Sequence, residues 1–143
     1  MSVEAPARFA VDSNVIASLF SSDAAKAERA EALMVQGTPK PVISTQVLNE
    51  VTLLMRREMG LSWPEIDTLL GDVGAFCEIV PLTLEAHKEA RCIAAHYGFG
   101  FYDSCIIAVA LLEECEVLYS EGMQHDQVIF DRLTVVDPFR PSS

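Results

Sequence analysis

The chain lacks several things that would narrow its role at once. Its 143 residues hold no apolar run long enough to cross a bilayer, the longest being Ile106 to Leu112. The N-terminus has neither the basic start nor the apolar core of a secretory signal, so a soluble, cytoplasmic protein with no membrane attachment is expected. Four cysteines, Cys77, Cys92, Cys105 and Cys115, form no C-x-x-C pair. They lie in apolar segments and read as small buried hydrophobes, not as zinc ligands or disulfides. His87, His96 and His125 show no paired ligand spacing, which disfavours zinc and copper. Cations are scarce: 10 Lys and Arg stand against 21 Asp and Glu, a net charge of −11. That balance excludes passive binding of nucleic acid through a broad basic face. It leaves open a metal-dependent enzyme acting on phosphate, because carboxylates that bind divalent cations make a chain more acidic. It also suits a basic protein partner, or simply a solvated surface. No internal repeat or low-complexity segment is present.

What is there is a half-apolar chain able to bury one core, so a single domain over residues 1–143 is expected, with short disordered ends at about 1–7 and 138–143. The patterning predicts a strand at 8–12, a short helix from Asn14 to Phe20 and a longer one from Asp23 to Gln36 that Gly37 stops. After the break Thr38-Pro39-Lys40-Pro41 come a strand Val42-Ile43-Ser44 and a helix from Gln46 to Met59. Ser62-Trp63-Pro64-Glu65 matches a capping box opening a helix to Phe76. A strand at Glu78 to Pro81, helices at Thr83 to Tyr97 and Asp103 to Glu114, and a strand at Glu116 to Ser120 follow. Two short β-type runs, Gln127 to Phe130 and Leu133 to Val136, close the pattern. Apolar strands alternating with helices predict an α/β fold around a mainly parallel sheet, which collects functional groups at the carboxyl ends of its strands.

Asp12 stands at such an end. Glu50 lies on its helix about 100° from the centre of the apolar face, at the boundary with solvent. Alone it reads as an ordinary half-solvated glutamate. Asp103 opens an apolar helix, where an N-cap is as good a reading as a catalytic one. Were the three to meet they would repel one another, and a divalent cation with a preference for oxygen, such as Mg²⁺, would resolve that repulsion.

Phe9-Ala10-Val11-Asp12-Ser13-Asn14, Val47-Leu48-Asn49-Glu50, Phe101-Tyr102-Asp103-Ser104 and Leu118-Tyr119-Ser120-Glu121 together resemble the PIN-domain family, in particular its bacterial toxin branch of the VapC type. The resemblance spans nearly the whole chain. It implies a three-layer α/β/α Rossmann-like domain with a four- to five-stranded central sheet, acting as a Mg²⁺- or Mn²⁺-dependent endoribonuclease that cleaves RNA. It further implies a homodimer silenced by a cognate antitoxin with a basic tail. Asp12, Glu50 and Asp103 match the family's catalytic, metal-binding acids, with Ser13, Asn14 and Ser120 in the hydrogen-bonding shell around them. The family usually places a fourth acid two residues after the Ser or Thr that ends the fourth strand, and here that position is Gly122. Glu121 or Asp126 would have to substitute. Lys40, Arg56 and Arg57 are the cations named for substrate, with Lys88 and Arg91 as a further pair. The alternative is a PIN-like binding protein that has lost turnover through Gly122. A haloacid-dehalogenase reading fails on Asn14, where a second Asp is needed, and a receiver-domain reading fails for want of a lysine near Val135-Val136-Asp137.

Overall fold

The computed structural model describes residues 7–35 and 39–141. Six strands, β1 (Phe9–Val11), β2 (Val42–Ser44), β3 (Glu78–Val80), β4 (Val117–Tyr119), β5 (Val128–Ile129) and β6 (Leu133–Val136), form one sheet in the order β3-β2-β1-β4-β6-β5. All neighbours are parallel except β5, a two-residue strand that pairs antiparallel with β6. The expected four to five strands therefore become six, the addition being this short hairpin. Helices α1 (Ser13–Ser18), α2 (Ala24–Met34), α3 (Thr45–Arg57), α4 (Trp63–Ala75), α5 (Leu84–Tyr97) and α6 (Phe101–Leu112) flank the sheet in a three-layer α/β/α arrangement.

Local chemistry sets most helix starts. Asp12, Asp23, Ser44 and Thr83 each occupy an N-cap and accept a hydrogen bond from a backbone N–H of the first turn. Ser62 and Glu65 form the expected capping box. Gly98, at φ +75°, ends α5 in the left-handed conformation that a glycine adopts without penalty. Helix α6 differs from expectation. It begins at Phe101, two residues early, behind Gly100, with no side-chain cap. Its residues Ser104 to Leu111 are buried on every side rather than along one stripe, which marks the central helix of the domain.

The core runs through Ile16, Ile43, Met55, Ile66, Ile93, Ile107, Leu118, Ile129 and Leu133, all fully buried. At the amino end of the sheet, Arg8 binds both carboxylate oxygens of Glu78 and also Glu113, tying β3 and the end of α6 to the start of β1. Two details depart from the sequence reading. Strand β3 is an edge strand, and its Ile79 is exposed. Cys92 is exposed on α5, whereas Cys77, Cys105 and Cys115 are buried as expected. In the tail, Pro138 is buried and its carbonyl accepts from Arg29 Nε at 3.0 Å. Residues 1–6, Gln36, Gly37, Thr38 and 142–143 lie outside the described residues.

Candidate active site

The chain crosses the sheet from β1 in two directions, to β2 and β3 on one side and to β4 and β6 on the other. Such a switch point leaves a crevice at the carboxyl ends of the strands. Register puts Val11 beside Tyr119, so the next residues, Asp12 and Ser120, emerge side by side. The Asp12 N–H donates to Tyr119 O at 2.9 Å, which locks that adjacency into the ladder.

Asp12 is only 3% exposed and Ser120 is fully buried. The Ser120 hydroxyl donates to Asp12 Oδ2 at 2.7 Å, and the Ser13 N–H donates to Oδ1 at 2.7 Å. Asn14 Nδ2 adds a longer contact to Oδ2 at 3.4 Å, while Asn14 Oδ1 accepts the N–H of Glu121 at 3.0 Å. The carboxylate is thus held from three sides by neutral donors. From α3, Glu50 reaches the same cluster: its Oε1 accepts the Ser13 hydroxyl at 2.8 Å and its Oε2 accepts Gln46 Nε2 at 3.0 Å. Gln46 was not singled out in the sequence, although its place one helical turn before Glu50 was a usable signal.

Asp103 lies in the first turn of α6 and does not cap it. Its carboxylate accepts no hydrogen bond from any described residue, which leaves both oxygens for something else. Burial pushes the Asp12 carboxyl above the usual carboxylate range, the bonds from Ser120 and Ser13 pull it back, and the charges of Asp103 and Glu50 push it up again. Asp103 is raised by loss of water around its carboxyl and then by the charge of Glu50. The three acids therefore feel one another, and no Lys or Arg among the described residues pairs with any of them. Together they are a cluster of hard oxygen donors short of positive charge. That chemistry fits Mg²⁺ or Mn²⁺, which keep several waters and need only one or two carboxylates. It does not amount to a closed cage, because no three acidic, imidazole or thiol groups among the described residues converge as ligands of one ion.

The substitutes named for the fourth acid are not brought into this cluster. Glu121 forms an ion pair with Lys26 at 2.7 Å, and Asp126, at φ +66°, sits beside His125 at 3.3 Å. Gly122 itself lies at the site, where an added Cβ would come 3.2 Å from Asn14 Nδ2. With Gly100, Asp103, Ile107, Gln124 and Val135 it lines a cavity of about 250 Å³. Three of the cations named from sequence, Lys40, Arg56 and Arg57, are placed elsewhere. Lys40 precedes β2, at the opposite edge of the sheet from Asp12. Arg56 and Arg57 end α3, roughly 9 Å along the helix axis beyond Glu50 and away from the crevice. There Arg56 bonds Leu61 O and lies over the Trp63 ring.

None of the curated proteins matches this sequence. Solved structures match its fold. A toxin-antitoxin complex from Klebsiella pneumoniae superposes with a TM-score of 0.70 at 18% identity, over 94% of this chain and 99% of that one. Mycobacterium tuberculosis VapC20, a toxin that cleaves the sarcin-ricin loop, gives 0.66 at 19% identity over 78% and 88%. Rickettsia felis VapBC2, bound to a DNA fragment from its promoter, gives 0.61 at 18% identity over 90% and 98%. The sequence model of the PIN domain matches residues 9–130, a span that takes in Asp12, Glu50, Asp103 and Ser120. With the switch-point acids and the parallel sheet already in place, that match assigns the chain to the PIN domain family.

Proposed function

We propose that this chain is a divalent-metal-dependent endoribonuclease of the VapC toxin type, working in the cytoplasm as a homodimer and silenced by an antitoxin. The observation that carries the reading is the buried Asp12 carboxylate, held by Ser120 and Ser13 at the sheet's switch point, with Glu50 and Asp103 in its field and no protein cation paired to them. Asp12 and Asp103 would hold Mg²⁺ or Mn²⁺. Once bound, the ion supplies positive charge to the phosphate and makes a water easier to deprotonate.

The chain's own residues do the rest. Ser120 and the Ser13 N–H fix the rotamer of Asp12, so its oxygens keep one orientation through turnover. Glu50, steadied by Ser13 and Gln46, orients the attacking water and takes its proton. Asn14 ties this assembly to the loop after β4 through Glu121 N. With glycine at 122, Asp12 and Asp103 hold a single ion in this reading and Glu50 acts on the water beside it. The toxin-antitoxin structures that share the fold support an antitoxin partner, and a basic antitoxin tail placing an Arg against the trio would inhibit by the electrostatics that attract the metal. Gly122 favours one second reading, a partner-binding protein without turnover. Purified protein and its Asp12→Asn variant, incubated with structured RNAs and Mg²⁺ or Mn²⁺, separate the two. Cleavage by the parent alone supports the nuclease; equal cleavage by both, or none by the parent with either ion, overturns it.

A further inference from the structure

Next to Ser120 the surface changes sign. Lys26 and Arg29 from α2 and Arg140 from the tail line a cavity of about 470 Å³, together with Glu121, Pro138 and Phe139. Three of the chain's 10 Lys and Arg thus face one concavity in a protein of net charge −11. An adjoining cavity of about 300 Å³ shares Arg29 and Arg140 and adds His125. The acids nearby are already engaged: Asp23 caps α2 through Ala25 N and Lys26 N, Asp137 Oδ1 accepts Phe139 N, and Glu121 holds Lys26. Arg29 is fixed by its bond to Pro138 O, and Lys26 lies 5.0 Å from the centroid of the Phe139 ring. The guanidinium of Arg140 has no hydrogen-bond partner among the described residues. The cavity neighbours the acidic cluster, since Glu121, which lines it, donates its N–H to Asn14 beside Asp12.

We propose that this cavity is a phosphate subsite that grips the backbone of single-stranded RNA flanking the bond presented to Asp12. The assignment rests on the nuclease reading and extends it. An acidic trio repels a polyanion at every distance where its metal does not screen it, so a substrate strand needs cations along its path. Lys40, Arg56 and Arg57 do not supply them, because they lie toward the other end of the strands. Arg140 and Arg29 offer guanidinium forks that match phosphate oxygens. Lys26 is a point charge that a phosphate can draw from Glu121. The position of the cavity one hydrogen bond from the Asp12 cluster favours a substrate strand over an acidic partner protein as the occupant.

The test uses the non-cleaving Asp12→Asn protein and a fluorescein-labelled single-stranded RNA, with anisotropy followed across a salt series. Each phosphate that is no longer neutralised flattens the slope of log K against log salt by about 0.7, so Lys26→Gln with Arg140→Gln should flatten it by about 1.4. Arg140→Gln alone, at an exposed side chain without a partner, gives half of that with no risk to folding, and Arg140→Lys keeps the slope. Arg56→Gln with Arg57→Gln leaves it unchanged. An unaltered slope in the Lys26/Arg140 variant, an equal flattening in the Arg56/Arg57 control, or an acidic peptide that binds the cavity while RNA binding is untouched would overturn the subsite. The two readings fail separately. If the parent cleaves RNA and the Lys26/Arg140 variant cleaves with unchanged KM, the subsite falls alone; if RNA binds through the cavity and the parent never cleaves, the nuclease reading falls alone.

Discussion

Replacing Ser120 with alanine removes one hydroxyl and little volume from a fully buried position. The hydroxyl donates to Asp12 Oδ2 at 2.7 Å, a short bond to a charged acceptor. Such bonds contribute about 1.5–3 kcal/mol, and a carboxylate this deeply buried has no water ready to replace the donor. At roughly 4 °C per kcal/mol for a chain of this length, the melting temperature at neutral pH should fall by about 6–12 °C. The pH dependence carries a sign. Ser120 lowers the Asp12 carboxyl against the larger effect of burial, so the variant raises it further. The loss is complete where Asp12 is ionised and shrinks as pH falls through its raised folded value. Thermal melts in chelator at neutral pH and at about pH 4 read this directly. A double-mutant cycle with Asp12→Asn should return a coupling of about 1 kcal/mol, because a neutral acceptor keeps the weaker part of the bond. A loss below about 0.5 kcal/mol, or one equal at both pH values and in both backgrounds, would refute the claim that Ser120 serves the charge on Asp12.

Asp12→Asn should abolish cleavage and yet raise the melting temperature in chelator at neutral pH. The folded carboxyl is raised, so its contribution to stability is present in acid and lost as pH rises through the folded value, which makes the ionised form a cost without metal. Divalent salt should stabilise the parent and not this variant, and a parent that melts identically with and without Mg²⁺ or Mn²⁺ would count against metal binding. Gly122→Asp places a fourth carboxylate beside Asn14, where the 3.2 Å approach of its Cβ asks only a small shift of a side-chain amide. A large gain in cleavage rate would show the present site to be incomplete, whereas an unchanged rate would show that three acids suffice. Under native conditions a thiol reagent should label Cys92 alone. Burial pushes the Cys77 thiol up to about 11 and the Cys115 thiol up to about 12, and Cys105 is buried as well. Mass spectrometry of the labelled protein, repeated after denaturation, counts the difference.

By itself the sequence determined the α/β alternation and the capping box that opens α4, and its resemblance to a family grouped Asp12, Glu50 and Asp103. Those features are local or periodic: a Ser-x-x-Glu box, a glycine after a helix and an apolar strand ending in Asp are written in consecutive residues. Tertiary structure decided which neighbours each group meets. Asp103 reads equally as an N-cap from its own segment, and only the early start of α6 behind Gly100 frees its carboxylate. Glu121 looks like a spare acid until Lys26, 95 positions away, takes it. The cations show the same limit, because Lys40, Arg56 and Arg57 seem near the functional strands in sequence, yet a helix that starts at the carboxyl edge of a sheet carries its last turn to the opposite edge. Lys26 and Arg29 lie on one helix more than a hundred positions from Arg140, and they share a cavity where Arg29 holds the tail through Pro138. Sequence spacing fixes what lies along one element, and packing alone fixes which elements share a charge.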